Sequence, residues 1–193
     1  MKTIAAVICL LGLMLGAIPA HADEAPRDVL GRQVPVGQGR PALVLYANRG
    51  TRNDLRTTVY PFIYSLRGAQ PIIVVHVDLR DVPGLFKGVA RKEILKSYRS
   101  SIEEMQRLFR EKGEQPPADL ESSFFIVADS GGEPHEALGL EKGFEQVIAQ
   151  AVSSSGHELA RGPFPQSSQV IARAIGAAVG PAPSQVAGVL RKQ

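Results

Sequence analysis

Three short apolar runs, none of them alternating with polar residues, constrain this chain more than any other feature. Pro41 to Ala47 reads Pro-Ala-Leu-Val-Leu-Tyr-Ala, Pro71 to Leu79 reads Pro-Ile-Ile-Val-Val-His-Val-Asp-Leu, and Phe124 to Ala128 reads Phe-Phe-Ile-Val-Ala. A strand with one face in water alternates apolar with polar, whereas a strand covered on both faces does not. The runs therefore predict inner strands of a sheet. Between the first two, Leu55, Val59, Phe62, Ile63 and Leu66 fall at helical spacing, with Thr51 or Asn53 as cap and Gly68 as stop. Two such strands joined by a helix make a βαβ unit with a parallel pair. Pro61 lacks an N–H and must kink that helix or mark its first turn.

Asp81-Val82-Pro83-Gly84 then reads as a turn. From Arg91 to Lys112 the apolar residues Ile94, Leu95, Tyr98, Ile102, Met105, Leu108 and Phe109 form one helical stripe that Gly113 ends, with Arg110 and Lys112 suiting the negative end of the dipole. After the third apolar run, Asp129-Ser130-Gly131-Gly132 signals a turn, Pro134 to Leu140 an edge strand returning antiparallel, and Phe144, Val147, Ile148 and Ala151 a helix. Ser153 to Ser168 has loop composition. Val170, Ile171, Ala174, Ile175 and Ala178 predict a small helix, and a last short one follows Gly180-Pro181-Ala182-Pro183 and ends at Lys192. No internal repeat is present.

The amino terminus has the parts of a secretory signal. Lys2 precedes the uncharged apolar run Ile4 to Ile18, and Pro19 leads into Ala20-His21-Ala22, so cleavage is expected before Asp23 and the product is expected to be periplasmic or secreted. No later run is long enough to span a bilayer, so no stable membrane insertion is expected after cleavage. Cys9 is the only cysteine and lies inside this segment. The mature chain would then hold no thiol and no disulfide, and burial alone must stabilise it. The expected organisation is a signal peptide (1–22), an irregular lead-in (23–40) with Val29-Leu30-Gly31-Arg32 as its anchor, a core (41–153), and a loop with helical extension (154–193). A net charge of +3, without an aromatic-interleaved basic run, argues against nucleic acid.

The order strand, helix, strand, helix, strand, turn, strand, helix resembles the thioredoxin fold. Ala42-Leu43-Val44-Leu45-Tyr46-Ala47 followed by Asn48-Arg49-Gly50-Thr51-Arg52-Asn53 resembles the strand and active-site loop of exported thioredoxin-like proteins of the cytochrome-maturation type. Phe124 to Gly132 is similar to their late strand and hairpin. The resemblance implies a three-layer α/β fold, a central mixed sheet with helices on both faces. It also implies two cysteines, at the positions held here by Gly50 and Asn53, and a cis-proline at the position of Ser122 or Ser123. Neither Gly nor Asn supplies a thiolate, so disulfide exchange is excluded on chemical grounds.

Loops at the carboxyl ends of parallel strands form the usual crevice of such a sheet. They supply Asn48, Arg49, Gly50, Thr51, Arg52 and Asn53 after the first strand, and Asp78, Arg80 and Asp81 after the second. Helix amides with Arg49 and Arg52 suit a carboxylate or other anion; alternatively these arginines pair with Asp78 and Asp81 in a solvated network. His76 reads as a hydrogen-bonded core histidine, and His135 and His157 as surface residues. No metal, cofactor, phosphate loop, GxSxG elbow or HExxH is indicated. The expected role is a non-redox binding module with an envelope protein or a small anionic ligand as partner. The alternative is a cysteine-independent enzyme using Asp78, Asp81 and Arg49, with or without His76. The segment Gln166 to Gln193 is expected to dock on its own domain or on another chain.

Overall fold

The parallel pair forms as expected. In the computed structural model, which describes residues 26–179, β1 (Ala42–Ala47) runs parallel to β2 (Ile72–Asp78), with Ala42 opposite Ile72 and Ala47 opposite Val77. The segment between them is helical in three pieces: α1 (Arg52–Asp54), a π-helical turn (Leu55–Val59) and α2 (Tyr60–Ser65). Pro61 sits in the first turn of α2, where its missing N–H costs least. Just upstream, Thr57 and Thr58 donate hydroxyl hydrogen bonds back to the carbonyls of Asn53 and Asp54. Such back-bonding loosens a helix. The helix widens there, and the Tyr60 N–H reaches the Leu55 carbonyl five residues back.

A short 3₁₀ turn (Gly84–Phe86) leads into α3 (Lys87–Glu111), which buries Ile94, Tyr98, Ile102, Met105 and Phe109 as its stripe requires. After α4 (Leu120–Ser123), β3 (Phe124–Asp129) pairs parallel to the outer side of β2. Three expectations fail beyond this point. Residues 134–140 are no strand: Gly132 turns the chain at φ 91°, and Glu133–Glu136 is a single helical turn, α5, with proline at its start. The expected helix around Val147 is β4 (Ile148–Val152), antiparallel to β1, and the expected loop holds β5 (Glu158–Pro163), antiparallel to β4. The sheet order is β3-β2-β1-β4-β5.

The late strand beside β1 is therefore β4 and not Phe124 to Ala128, and Gln146-Val147 rather than Ser122 or Ser123 precede it. The sheet reaches past residue 153, because β5 completes it and α6 (Ser168–Val179) seats Ile171 and Ile175 fully in the core. That part of the carboxyl-terminal segment docks on its own domain. The signal segment, Cys9 and the last predicted helix lie outside the described residues.

The three layers are unequal. Leu43 and Leu45 of β1, Ile73 and Val75 of β2 and Phe124 and Ile126 of β3 meet all the long helices on one face. Alternate residues Val44, Tyr46, Val74, Phe125 and Val127 face the other way, where the lead-in (Val34, Val36), α5 and its following loop (Leu138, Leu140) cover them. The lead-in is held by its predicted anchor. The Val29 N–H bonds the Ile126 carbonyl, and Arg32 bonds the Phe124 carbonyl at 2.7 Å while its guanidinium lies over the Phe125 ring.

Candidate functional site

At the carboxyl ends of β1 and β2 a crevice of about 960 Å³ opens between the α1–α2 segment and the start of α3. Asn48 builds one rim. Its Oδ1 accepts the N–H groups of Gly50 and Thr51 at 2.8 and 3.1 Å, and its Nδ2 donates to the Phe144 carbonyl at 2.6 Å. Thr51, fully buried, accepts the Asn48 N–H through its own hydroxyl at 3.0 Å and does not cap the helix. These two residues shape the loop. Arg49 and Arg52 stand exposed on the crevice wall, Arg52 donating to Ser97 Oγ at 3.1 Å, while Asn53 is exposed and does not line it.

The expected pairing of these arginines with Asp78 and Asp81 does not form among the described residues. Asp78 is taken by Arg80, with both side chains buried and 2.7 Å between Nη2 and Oδ2. Burial pushes the Asp78 carboxyl up, but the Arg80 hydrogen bonds outweigh it and hold its pKa below the ordinary value. Arg80 turns away from the crevice, donates to the Leu140 carbonyl at 2.9 Å and reaches Glu136. It straps α5 and its loop onto the second face of the sheet. Gly132 makes this possible, since a Cβ there would lie 2.1 Å from Arg80 Cδ.

Of the nine candidates, Asn48, Arg49, Gly50, Arg52, Asp78 and Asp81 line the crevice, and Thr51, Asn53 and Arg80 do not. What sequence reasoning missed is the apolar part: Leu55 on the π turn, Val82, Phe86, Val89 and Ala90 around the start of α3, and Phe144 opposite. Leu85 and Phe86 follow Pro83-Gly84 outside the α3 stripe, and that misfit was the available signal. On the floor, the Tyr60 and Ser101 hydroxyls share a buried hydrogen bond of 2.5 Å.

Of the alternative enzyme centre, Arg49, Asp78 and Asp81 line the crevice, and His76 does not join them. His76 belongs to the other face of the sheet, stacked on Tyr46 at 5.2 Å. There it meets His135, which is no surface residue but fully buried, its Nδ1 hydrogen-bonded to Asp129 at 2.7 Å. Among the described residues His76 has no hydrogen-bond partner at Nδ1, nor has His135 at Nε2. Burial, then the neighbouring His135, lowers the His76 pKa to about 4, with Asp129 opposing. Burial likewise raises the Tyr46 phenol to about 12.

A parallel β3-β2-β1 set continued by an antiparallel β4–β5 hairpin, with a helix starting at the β1 loop beside the crevice, is a thioredoxin-like α/β fold. Comparison with known proteins adds these findings. No protein-family model matches the chain, and no curated protein does. Among solved structures it is similar to a putative thiol:disulfide interchange protein DsbE from Chlorobium tepidum, with 15% identity, 82% of this chain and 96% of the other covered, and a TM-score of 0.48. It is also similar to StoA from Bacillus subtilis (8% identity, 78% and 93% covered, TM-score 0.47). A third is the exposed lipoprotein thioredoxin Etrx1 from Streptococcus pneumoniae (13% identity, 79% and 96% covered, TM-score 0.44).

Proposed function

We propose that this chain is an exported, non-redox binding module that holds a segment of an envelope protein in the crevice at the carboxyl ends of β1 and β2. The observation that carries this reading is the crevice itself. Its apolar wall of Leu55, Val82, Phe86 and Phe144 faces a rim on which Arg49 and Arg52 make no ion pair among the described residues. Where a redox relative needs thiolates the chain has Gly50 and Asn53, so the site offers surface and charge rather than an attacking group. Apolar contact supplies affinity, and the arginines select an acidic side chain or a carboxylate. The signal-like segment at residues 1–22 supports a periplasmic setting.

The test is photo-crosslinking in the native envelope, with the reactive residue at Arg52 and a control at Ser155, an exposed position in the turn at the far end of the sheet. A discrete product from position 52, absent from 155 and lost on Arg49→Glu, supports the reading. Identical products from both positions, or none from a folded and abundant protein, would sink it.

A further inference from the structure

Three large apolar side chains stand in water where α3 begins: Leu85 is 87% exposed, Phe86 55% and Val89 59%. The other exposed large hydrophobics among the described residues, Leu30, Leu159 and Val170, belong to separate elements. Phe86 and Val89 form the lip of the crevice, but Leu85 does not line it and projects beyond. Isolated exposed apolar residues mean little; three on one turn form a patch that needs an occupant.

The charges around this tip indicate which. From Lys87 to Arg99, α3 carries Lys87, Arg91, Lys92, Lys96 and Arg99 against the single acid Glu93, and its first turn has no acidic residue. Helix dipoles disfavour cations at this end, so local helix stability does not explain the choice. Lys87 donates to the Ser130 carbonyl at 2.8 Å. Arg91, Lys92, Lys96 and Arg99 are exposed and in no ion pair among the described residues, whereas farther along the same helix Arg107 pairs with both Glu104 and Glu111. Val89, Lys92 and Lys96 share one helix face by their i, i+3, i+7 spacing.

Asp81, Glu93 and Glu145 line the crevice side of this tip, but an apolar tip continued along α3 by cations in no ion pair among the described residues complements an anionic bilayer. Three side chains offer a few hundred Å² at most, well short of the roughly 800 Å² per partner of a standard protein interface. A bilayer boundary accepts a convex tip without matching its shape. We propose that the Pro83–Val89 tip seats this protein peripherally on an anionic lipid surface, with Leu85 and Val89 at the headgroup boundary and Lys92 and Lys96 against the phosphates, Phe86 remaining part of the crevice wall.

The experiment is co-sedimentation of the full chain with vesicles of phosphatidylcholine alone and of phosphatidylcholine mixed with phosphatidylglycerol. Wild type and variants carry the same residues 1–22, so their difference reports the tip. Binding to the mixed vesicles is expected to fall about tenfold in Leu85→Asp, and its preference over neutral vesicles to vanish in Lys92→Glu/Lys96→Glu. The chain has no tryptophan, so Leu85→Trp adds a single fluorophore, whose emission is expected to shift to the blue only with phosphatidylglycerol present. Wild-type affinity in Leu85→Asp, indifference to phosphatidylglycerol, or an unshifted Leu85→Trp spectrum would each overturn the proposal. So would a protein crosslinked to position 85 by a chain that ignores both vesicles. Leu85 lies outside the crevice, so these outcomes leave the binding-module reading standing or falling on its own test.

Discussion

Replacing His76 by Phe is expected to flatten the acid side of the stability profile. Burial disfavours the charged ring, and with His135 adding to this and Asp129 opposing, the folded-state pKa is about 4 against an ordinary 6.5. Below pH 6.5 the unfolded chain therefore takes up a proton that the folded chain refuses. The stability of the neutral ring is fully present above 6.5 and is lost as pH falls from there to about 4. At about 1.36 kcal/mol per pH unit, the whole window is worth roughly 3 kcal/mol, and at about pH 5 roughly 2 kcal/mol of it is gone. Phe keeps the stack on Tyr46 and removes an Nδ1 that has no hydrogen-bond partner among the described residues, so the variant should fold. Urea unfolding of both chains at about pH 7.5 and about pH 5 measures the effect, and titrating groups remote from His76 largely cancel in the comparison. The stability difference between the chains should move by about 2 kcal/mol in favour of His76→Phe at the lower pH. Parallel profiles for the two chains would refute the reasoning.

Three further outcomes follow from the same packing. Arg80→Met leaves the buried Asp78 carboxylate without its partner and should cost about 3–5 kcal/mol in denaturant unfolding, much of it recovered when Asp78→Asn is added. Spectrophotometric titration should find a tyrosine whose phenolate forms with a midpoint at about pH 12, and Tyr46→Phe should remove that late step. Ile171→Ala should destabilise by about 2–5 kcal/mol, and truncation after Gly162 should unfold the domain rather than merely release a partner, because Ile171 and Ile175 are fully buried.

What the sequence carried by itself was whatever depends on local pattern. The unbroken apolar runs gave β1, β2 and β3, since only strands covered on both faces can be apolar throughout, and the stripe from Ile94 to Phe109 gave α3. That Gly50 and Asn53 carry no thiol was equally plain, because it is a matter of residue identity. Around Val147 the pattern held two periods at once: Phe144, Val147, Ile148 and Ala151 fit a helix, while Val147, Ala149 and Ala151 alternate as a strand. Pairing with the free edge of β1 chose the strand, a contact about a hundred residues away that no local period records. β5 was hidden because it is an edge strand, Glu-Leu-Ala-Arg-Gly-Pro, mostly in contact with water.

The site divided along the same line. Position after the strands put Asn48, Arg49, Arg52, Asp78 and Asp81 at the crevice, but only the tertiary structure decided their work. Asp78 prefers the adjacent Arg80, which is buried with it and chelates it at 2.7 Å, over the exposed arginines across the crevice. Gly132, turned at φ 91°, lets α5 lie under that pair and buries His135 against Asp129. Residue type determined which groups were available; close packing of chain segments distant in sequence determined which stayed free to meet a partner.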